Sequence, residues 1–178
     1  MMTLSEFLGP CRVVPDAEMT RTHRACIQDA ADRLLLAGPD AGKPIRHGDG
    51  GPWMFRVIRT PGGRPINADL VAVDRGSGRV AGGIHRGLRW VNPDFRGGGL
   101  GIELCLAARS VPGVRFLSPG SYSEAGYGSR VAAHRTAVER ALAAGLEVPE
   151  RVLVTVRSGV RAAPAEPQAE AAAPGMSR

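Results

Sequence analysis

The chain has 178 residues, 43% hydrophobic and 22% charged, with a formal charge of +6 and only 4% aromatic side chains. That length suits one hydrophobic core, so two independent domains are not expected, and the core must draw mainly on Leu, Val, Ile and Ala. The positive charge comes from arginines scattered along the chain, with Lys43 as the only lysine. No dense basic run marks a nucleic-acid surface, and so few aromatics do not make a base-stacking platform, so nucleic acid is not expected as a partner.

Three cysteines, Cys11, Cys26 and Cys105, are odd in number and show no C-x-x-C spacing. This argues against a disulfide framework and against a zinc site, and points to a reducing, cytoplasmic setting. The N-terminal "MMTLSEFLGPCRVV" lacks a basic segment followed by a long apolar run, and no stretch approaches bilayer length, so no membrane association is expected.

The first helix signal is "DAEMTRTHRACIQDAADRLLLAG", in which Ala25, Ile27, Ala30, Ala31, Leu34 and Leu35 recur on one face and Gly38 offers a stop. "GPDAGKPIRHGDGGP" reads as a loop, "WMFRVIRT" (53–60) as a strand, and "PGGRP" as the turn that ends it. "ADLVAVD" (68–74), the turn "RGSG" and the arm "RVAGGIHRGLRWV" (79–91) form a hairpin signature, with Gly82, Gly83 and Gly87 weakening or bulging the second arm. "LGIELCLAARS" places Leu100, Leu104, Leu106 and Ala107 in a helical pattern, and "GVRFLSP" reads as a short buried strand. "GSYSEAGYG" reads as a loop, after which Ser129 caps a helix over "SRVAAHRTAVERALAAGL" that Gly145 ends. "RVLVTVRS" (151–158) reads as a last strand. The tail from residue 161 is rich in Ala and Pro and is expected to be disordered, leaving one domain over residues 1–160.

Four glycines fall within five positions in "WVNPDFRGGGLGIELCLAA", at the seam between a strand and a helix. A helix start leaves N–H groups without backbone partners and carries partial positive charge, so it attracts phosphate, and glycines let a diphosphate approach the main chain. Arg96 adds a charge-assisted contact at the rim. The dinucleotide fingerprint G-x-G-x-x-G fails here, because Ile102 or Leu104 stands where its last glycine belongs. "GPDAGKP" approaches a Walker loop but is one residue short, and Pro44 replaces the magnesium-binding Ser or Thr.

The run "VNPDFRGGGLGIEL" resembles motif A of the GNAT superfamily of N-acetyltransferases, V-x-P-x-x-R-G-x-G-x-G-x-x-L, with Val91, Pro93, Arg96, Gly97, Gly99, Gly101 and Leu104 in register. The resemblance covers about residues 68–118. It implies an α/β (α+β) fold whose mixed, mostly antiparallel central sheet splays at the cofactor site and is flanked by helices. It also implies acetyl-CoA as co-substrate, its pyrophosphate held by main-chain N–H groups from Arg96 through Gly97, Gly98, Gly99 and Leu100 to Gly101. The strand end at Arg89, Trp90 and Val91 would pair with the pantetheine arm. The implied activity is direct acetyl transfer to a primary amine, of a small molecule or a peptide, in a ternary complex. The chain departs from the family where a tyrosine usually protonates the leaving thiolate: aligning the glycine that follows it with Gly145 puts Ala141 there, and Leu146 where a phenylalanine is usual.

Transfer requires a free amine, a polarised thioester and a proton for the departing sulfur. The loop after the fifth family strand offers Tyr127 or Tyr122 as acid and Glu124 as base, and His85, on the same alternating face as Gly87, Arg89 and Val91, is a further candidate base. His134 is expected at a helix surface or edge, Glu103 in solvent or paired with an arginine, and Cys105 in the core; no His, Cys and carboxylate cluster has metal spacing. Ala141 also motivates a second reading, a non-catalytic CoA-binding or protein-interaction module. A third is an acetyltransferase directed at RNA or aminoacyl-tRNA. A homodimer and the acceptor's identity are left open.

Overall fold

The computed structural model describes residues 1–9, 12–48, 51–59, 68–115 and 121–157. In chain order its elements are α1 (Leu4–Leu8), β1 (Arg12–Val14), α2 (Arg21–Ala37), β2 (Lys43–Ile45), β3 (Trp53–Arg59), β4 (Ala68–Asp74), β5 (Val80–His85), β6 (Leu88–Val91), α3 (Leu100–Ser110), β7 (Ser121–Ser123), α4 (Glu124–Ala143) and α5 (Glu150–Arg157). The architecture is mixed α and β. An antiparallel meander of five strands runs β2-β3-β4-β5-β6, and β1 pairs with β7 in a separate parallel ribbon.

Strand alternation divides β4 between two layers. Leu70 and Ala72 join Leu100, Leu104, Cys105, Ala107, Ala108 and Ala133 in the core beneath α3 and α4. Val71 and Val73 point the other way and meet Leu34 of α2, with Met54, Ile58 and Trp90 at the margin. Thr20 caps α2 by accepting from the His23 N–H, and Gly38 ends it at φ 82, as the sequence predicts. Ala30, Ala31 and Leu34 form the buried stripe, whereas Ala25 and Leu35 are exposed. The β4–β5 connection is also as expected: Asp74 Oδ2 accepts from the N–H and the hydroxyl of Ser77 at 2.8 and 2.7 Å and closes the turn.

Several segments differ from their reading in sequence. The region 79–91 is two strands, because Arg86 and Gly87 both take positive φ, 50° and 84°, in a two-residue turn whose twist suits a hairpin. His85 therefore pairs across the hairpin with Leu88 and does not continue onto a face shared with Gly87, Arg89 and Val91. The expected loop after Gly38 holds edge strand β2, and Gly42 is needed there because a Cβ would strike the Val57 carbonyl. "SYS" is a strand and "EAGYG" begins α4, so the cap is Ser123, which accepts from the Gly126 N–H at 3.0 Å; Ser129 lies inside the helix. Gly145, at φ 69, follows the end of α4 as predicted. "RVLVTVRS" is helical from Glu150 to Arg157, since Val148 and Val152 pack together onto Val138 and Ala141 of α4. His134 is buried, with Nε2 3.0 Å from the Met2 carbonyl and its ring edge-on to Phe7. α1 and β1 were not expected, although Thr3 and Glu6 form a capping box at the start of α1. The "PGGRP" turn, most of "GVRFLSP" and the tail lie outside the described residues; Val114 makes one parallel bridge to Ala68. Among the described residues, no helix is long and apolar enough to cross a membrane.

Candidate functional site

β6 is the last strand of the sheet, so one of its edges has no neighbouring strand in the sheet order. The Asn92 N–H bonds to the Ala81 carbonyl at 2.9 Å, and antiparallel pairing alternates inward and outward groups. Hence Leu88 and Trp90 present their main-chain groups to β5, while Arg89 and Val91 present theirs to the open edge. Asn92 then pins the exit from β6, its Nδ2 donating to the Val80 carbonyl and its Oδ1 accepting from the Asp94 N–H, both at 3.2 Å.

The chain next makes one 3-10 turn over Pro93–Phe95 and enters the glycine turn. Gly97 and Gly99 take φ 86° and 78°, a left-handed conformation that glycine adopts without Cβ strain, and a Cβ on either would meet nothing within 4 Å. Gly99 is the N-cap of α3 and supplies no side chain to it. Its carbonyl accepts from Ile102 and Glu103, so the N–H groups of Leu100 and Gly101 have no backbone acceptor among the described residues. Gly98 turns the other way, its Cβ position 3.5 Å from Trp53, which in turn meets Phe95 edge-on. The turn thus has a back fixed on aromatic rings and an open front.

That front is one wall of a cleft of about 710 Å³. β6 supplies Arg89, Trp90 and Val91; the turn supplies Arg96, Gly97, Gly99, Leu100 and Gly101; α2 and the residues before it supply Met19, His23 and Ile27; β7 and α4 supply Tyr122, Ser129 and Arg130. Of the predicted cofactor residues only Gly98 is off this wall. Arg89 is held by its own bonds, one Nη donating to the Gly101 carbonyl at 3.2 Å and to Cys105 Sγ at 3.0 Å. Cys105 is buried in the core as expected.

The four predicted proton-transfer residues separate. Tyr122 lines the cleft, is 6% exposed, and its hydroxyl donates to the Leu8 carbonyl at 3.3 Å. Tyr127 and Glu124 lie on α4 outside the lining, and Glu124 is exposed in the first turn. His85 is buried, with Nδ1 2.8 Å from Asp69 Oδ2 and Nε2 without a hydrogen-bond partner among the described residues. Asp69 shares the strand parity of Val71, so this pair lies on the α2 layer, away from Arg89 and α3.

Of the two settings expected for Glu103, the structure shows the arginine pair, with the side chain half-buried. It bonds to His47 at 3.1 Å and to both terminal nitrogens of Arg140, tying the segment after β2 and α4 to α3. The His47 hydrogen bond, with help from Arg140, holds its carboxyl at about 2, against an opposing contribution from burial.

Sequence reasoning missed Arg130 and His23. Arg130 is 4% exposed, with its guanidinium carbon 4.4 Å from the centre of the Tyr122 ring, a cation–π distance. It stands on the same helical stripe as Ala133, Val138 and Ala141, and a charge on a buried stripe is a signal of a site once the helix is started at Glu124. Protein-family models, curated proteins and solved structures were compared with the chain, and none matches. Function therefore rests on geometry and chemistry. An open-fronted glycine turn at a helix start suits a diphosphate, a free strand edge suits an amide-bearing chain, and the cationic wall suits developing negative charge.

Proposed function

We propose that the protein is an acetyl-CoA-dependent N-acetyltransferase of the GNAT kind, acting on a primary amine by direct attack. The observation that carries this reading is the turn Arg96–Gly101, open on the cleft and continuous with the free edge of β6. On this reading the N–H groups of Leu100 and Gly101, with Arg96, hold the diphosphate. The outward main-chain groups of Arg89 and Val91 take the pantetheine amides as an added strand would be taken. Acetyl-CoA supplies the thioester: the amine nitrogen bonds to the acetyl carbon, the carbon–sulfur bond breaks, and the nitrogen's proton passes through water to the departing thiolate.

The residues of the cleft ease both proton steps without a dedicated acid at Ala141. A positive wall disfavours the ammonium form of the acceptor, and it stabilises the thiolate as it forms. Holding the two reactants together supplies much of the remaining rate. Tyr122 is the predicted hydroxyl on this wall, and it also supports the Arg130 guanidinium.

Ala141 favours a second reading, a CoA-binding module without transfer, because the position is buried among Val138, Val148 and Val152 and offers no hydroxyl. One assay separates the two. With acetyl-CoA and a panel of amines, the enzyme releases free thiol in step with N-acetylated product seen by mass spectrometry, and Gly99→Glu abolishes both. CoA binding without thiol release across the panel selects the module.

A further inference from the structure

The charge pattern of the cleft bears on what enters beside the cofactor. Among the described residues that line it are three arginines, Arg89, Arg96 and Arg130, and one histidine, His23, but no aspartate or glutamate. Arg96 is exposed beside the turn, whereas Arg130 is set into the wall over the Tyr122 ring. Met19, Ile27 and Leu88 add apolar surface to the same space.

This inference rests on the acetyltransferase reading, in which the turn and Arg96 answer the diphosphate. The pantetheine arm is uncharged, so it offers no negative group to the buried Arg130 guanidinium. A wall of one sign concentrates ligands of the other and repels those of its own. We propose that the acceptor is an anionic amine: an amino acid with an apolar side chain, whose carboxylate is received by Arg130, and not a polyamine or a lysine side chain. A guanidinium offers a carboxylate two parallel hydrogen bonds, which fixes the acceptor's orientation as well as its charge. The apolar residues at the cleft then take the side chain, and the same positive field favours the free amine that must attack.

The test compares ligands that differ by one group. L-phenylalanine, 2-phenylethylamine and spermidine are titrated by calorimetry into the protein alone and into protein saturated with CoA. L-phenylalanine is expected to bind about tenfold or more tighter than 2-phenylethylamine, and spermidine to give no heat. Arg130→Gln, with its fold checked by circular dichroism, loses the discrimination, and Arg130→Lys retains part of it. Equal or tighter binding of 2-phenylethylamine or spermidine overturns the proposal, as does an absence of L-phenylalanine binding or discrimination that survives in Arg130→Gln. The heat of CoA itself is read first, so failure of the cofactor site is seen separately from failure of the carboxylate preference.

Discussion

At Gly83 the absent side chain is a matter of space. A Cβ there would strike the Leu70 carbonyl and come within 3.0 Å of both Leu34 methyl groups, so the glycine lets β5 lie between β4 and α2. Gly82 does the same on the other layer, beneath the Trp90 carbonyl and Leu100. The sequence marks this pair as a weak or bulged stretch, and the register does shift beside it: Ala72 pairs with Gly82 and Val73 with Val80, which leaves Ala81 as the extra residue of β5. Close packing was invisible because it depends on which neighbours the fold brings in. Gly83→Ala is expected to destabilise by about 2–3 kcal/mol, because neither the carbonyl nor the sheet can move far. Gly76→Ala, whose Cβ meets only Asp74 Oδ2 at 3.5 Å, is the control and costs under about 1 kcal/mol. Urea denaturation checks both; equal midpoints would contradict this packing. The glycines of the turn are different in kind, since Gly97 and Gly99 face open space and are required for their φ and for access.

Between elements, the polar tie of Glu103 to His47 and Arg140 fixes α3 against its neighbours, and α3 carries the turn at its start. Its carboxyl, at about 2, lies below the ordinary 4.5. A lowered carboxyl contributes stability that is complete above about pH 5 and is lost as the pH falls through the folded value. Relative to Glu103→Gln, the native chain is expected to be more stable by about 1–2 kcal/mol at pH 7, solvent screening of this partly exposed pair having reduced the contribution, with the difference fading between about pH 5 and 2. Denaturation midpoints across that range measure it; a difference independent of pH would place the contribution elsewhere. Elements were legible where periodicity and punctuation agreed, as in β3, β4, the Ser77 turn and α2. They were misread where β-branched residues imitate a strand: Val148, just before α5, and Val152 and Val156 within it also keep a four-residue helical spacing, and packing on α4 decides for the helix.

For the whole molecule, the five-stranded antiparallel sheet places β6 at an edge, and α2, α3 and α4 leave that edge open to the cleft. Val91 to Leu104 announced the turn because its glycine spacing is local. Tyr122 was legible as a candidate, whereas Arg130 and His23 come from other helices and only the topology brings them to the turn. His85 was misplaced for the same reason: a two-residue turn reversed the chain directly after it. The net charge reads more sharply in the structure, where cationic side chains gather on a wall lacking acidic groups among its described residues.

On the proposed function, this turn holds the diphosphate of CoA. Isothermal calorimetry with CoA tests it most directly, on the native chain and on Gly99→Glu, whose new carboxylate projects into open space beside the turn. The account predicts one site with a Kd in the range of about 1 µM to 1 mM. It also predicts a loss of about 100-fold or more in Gly99→Glu, from strain of the turn at φ 78° and from like-charge repulsion. No heat with CoA at millimolar concentration, or unchanged binding by a folded Gly99→Glu, would contradict it.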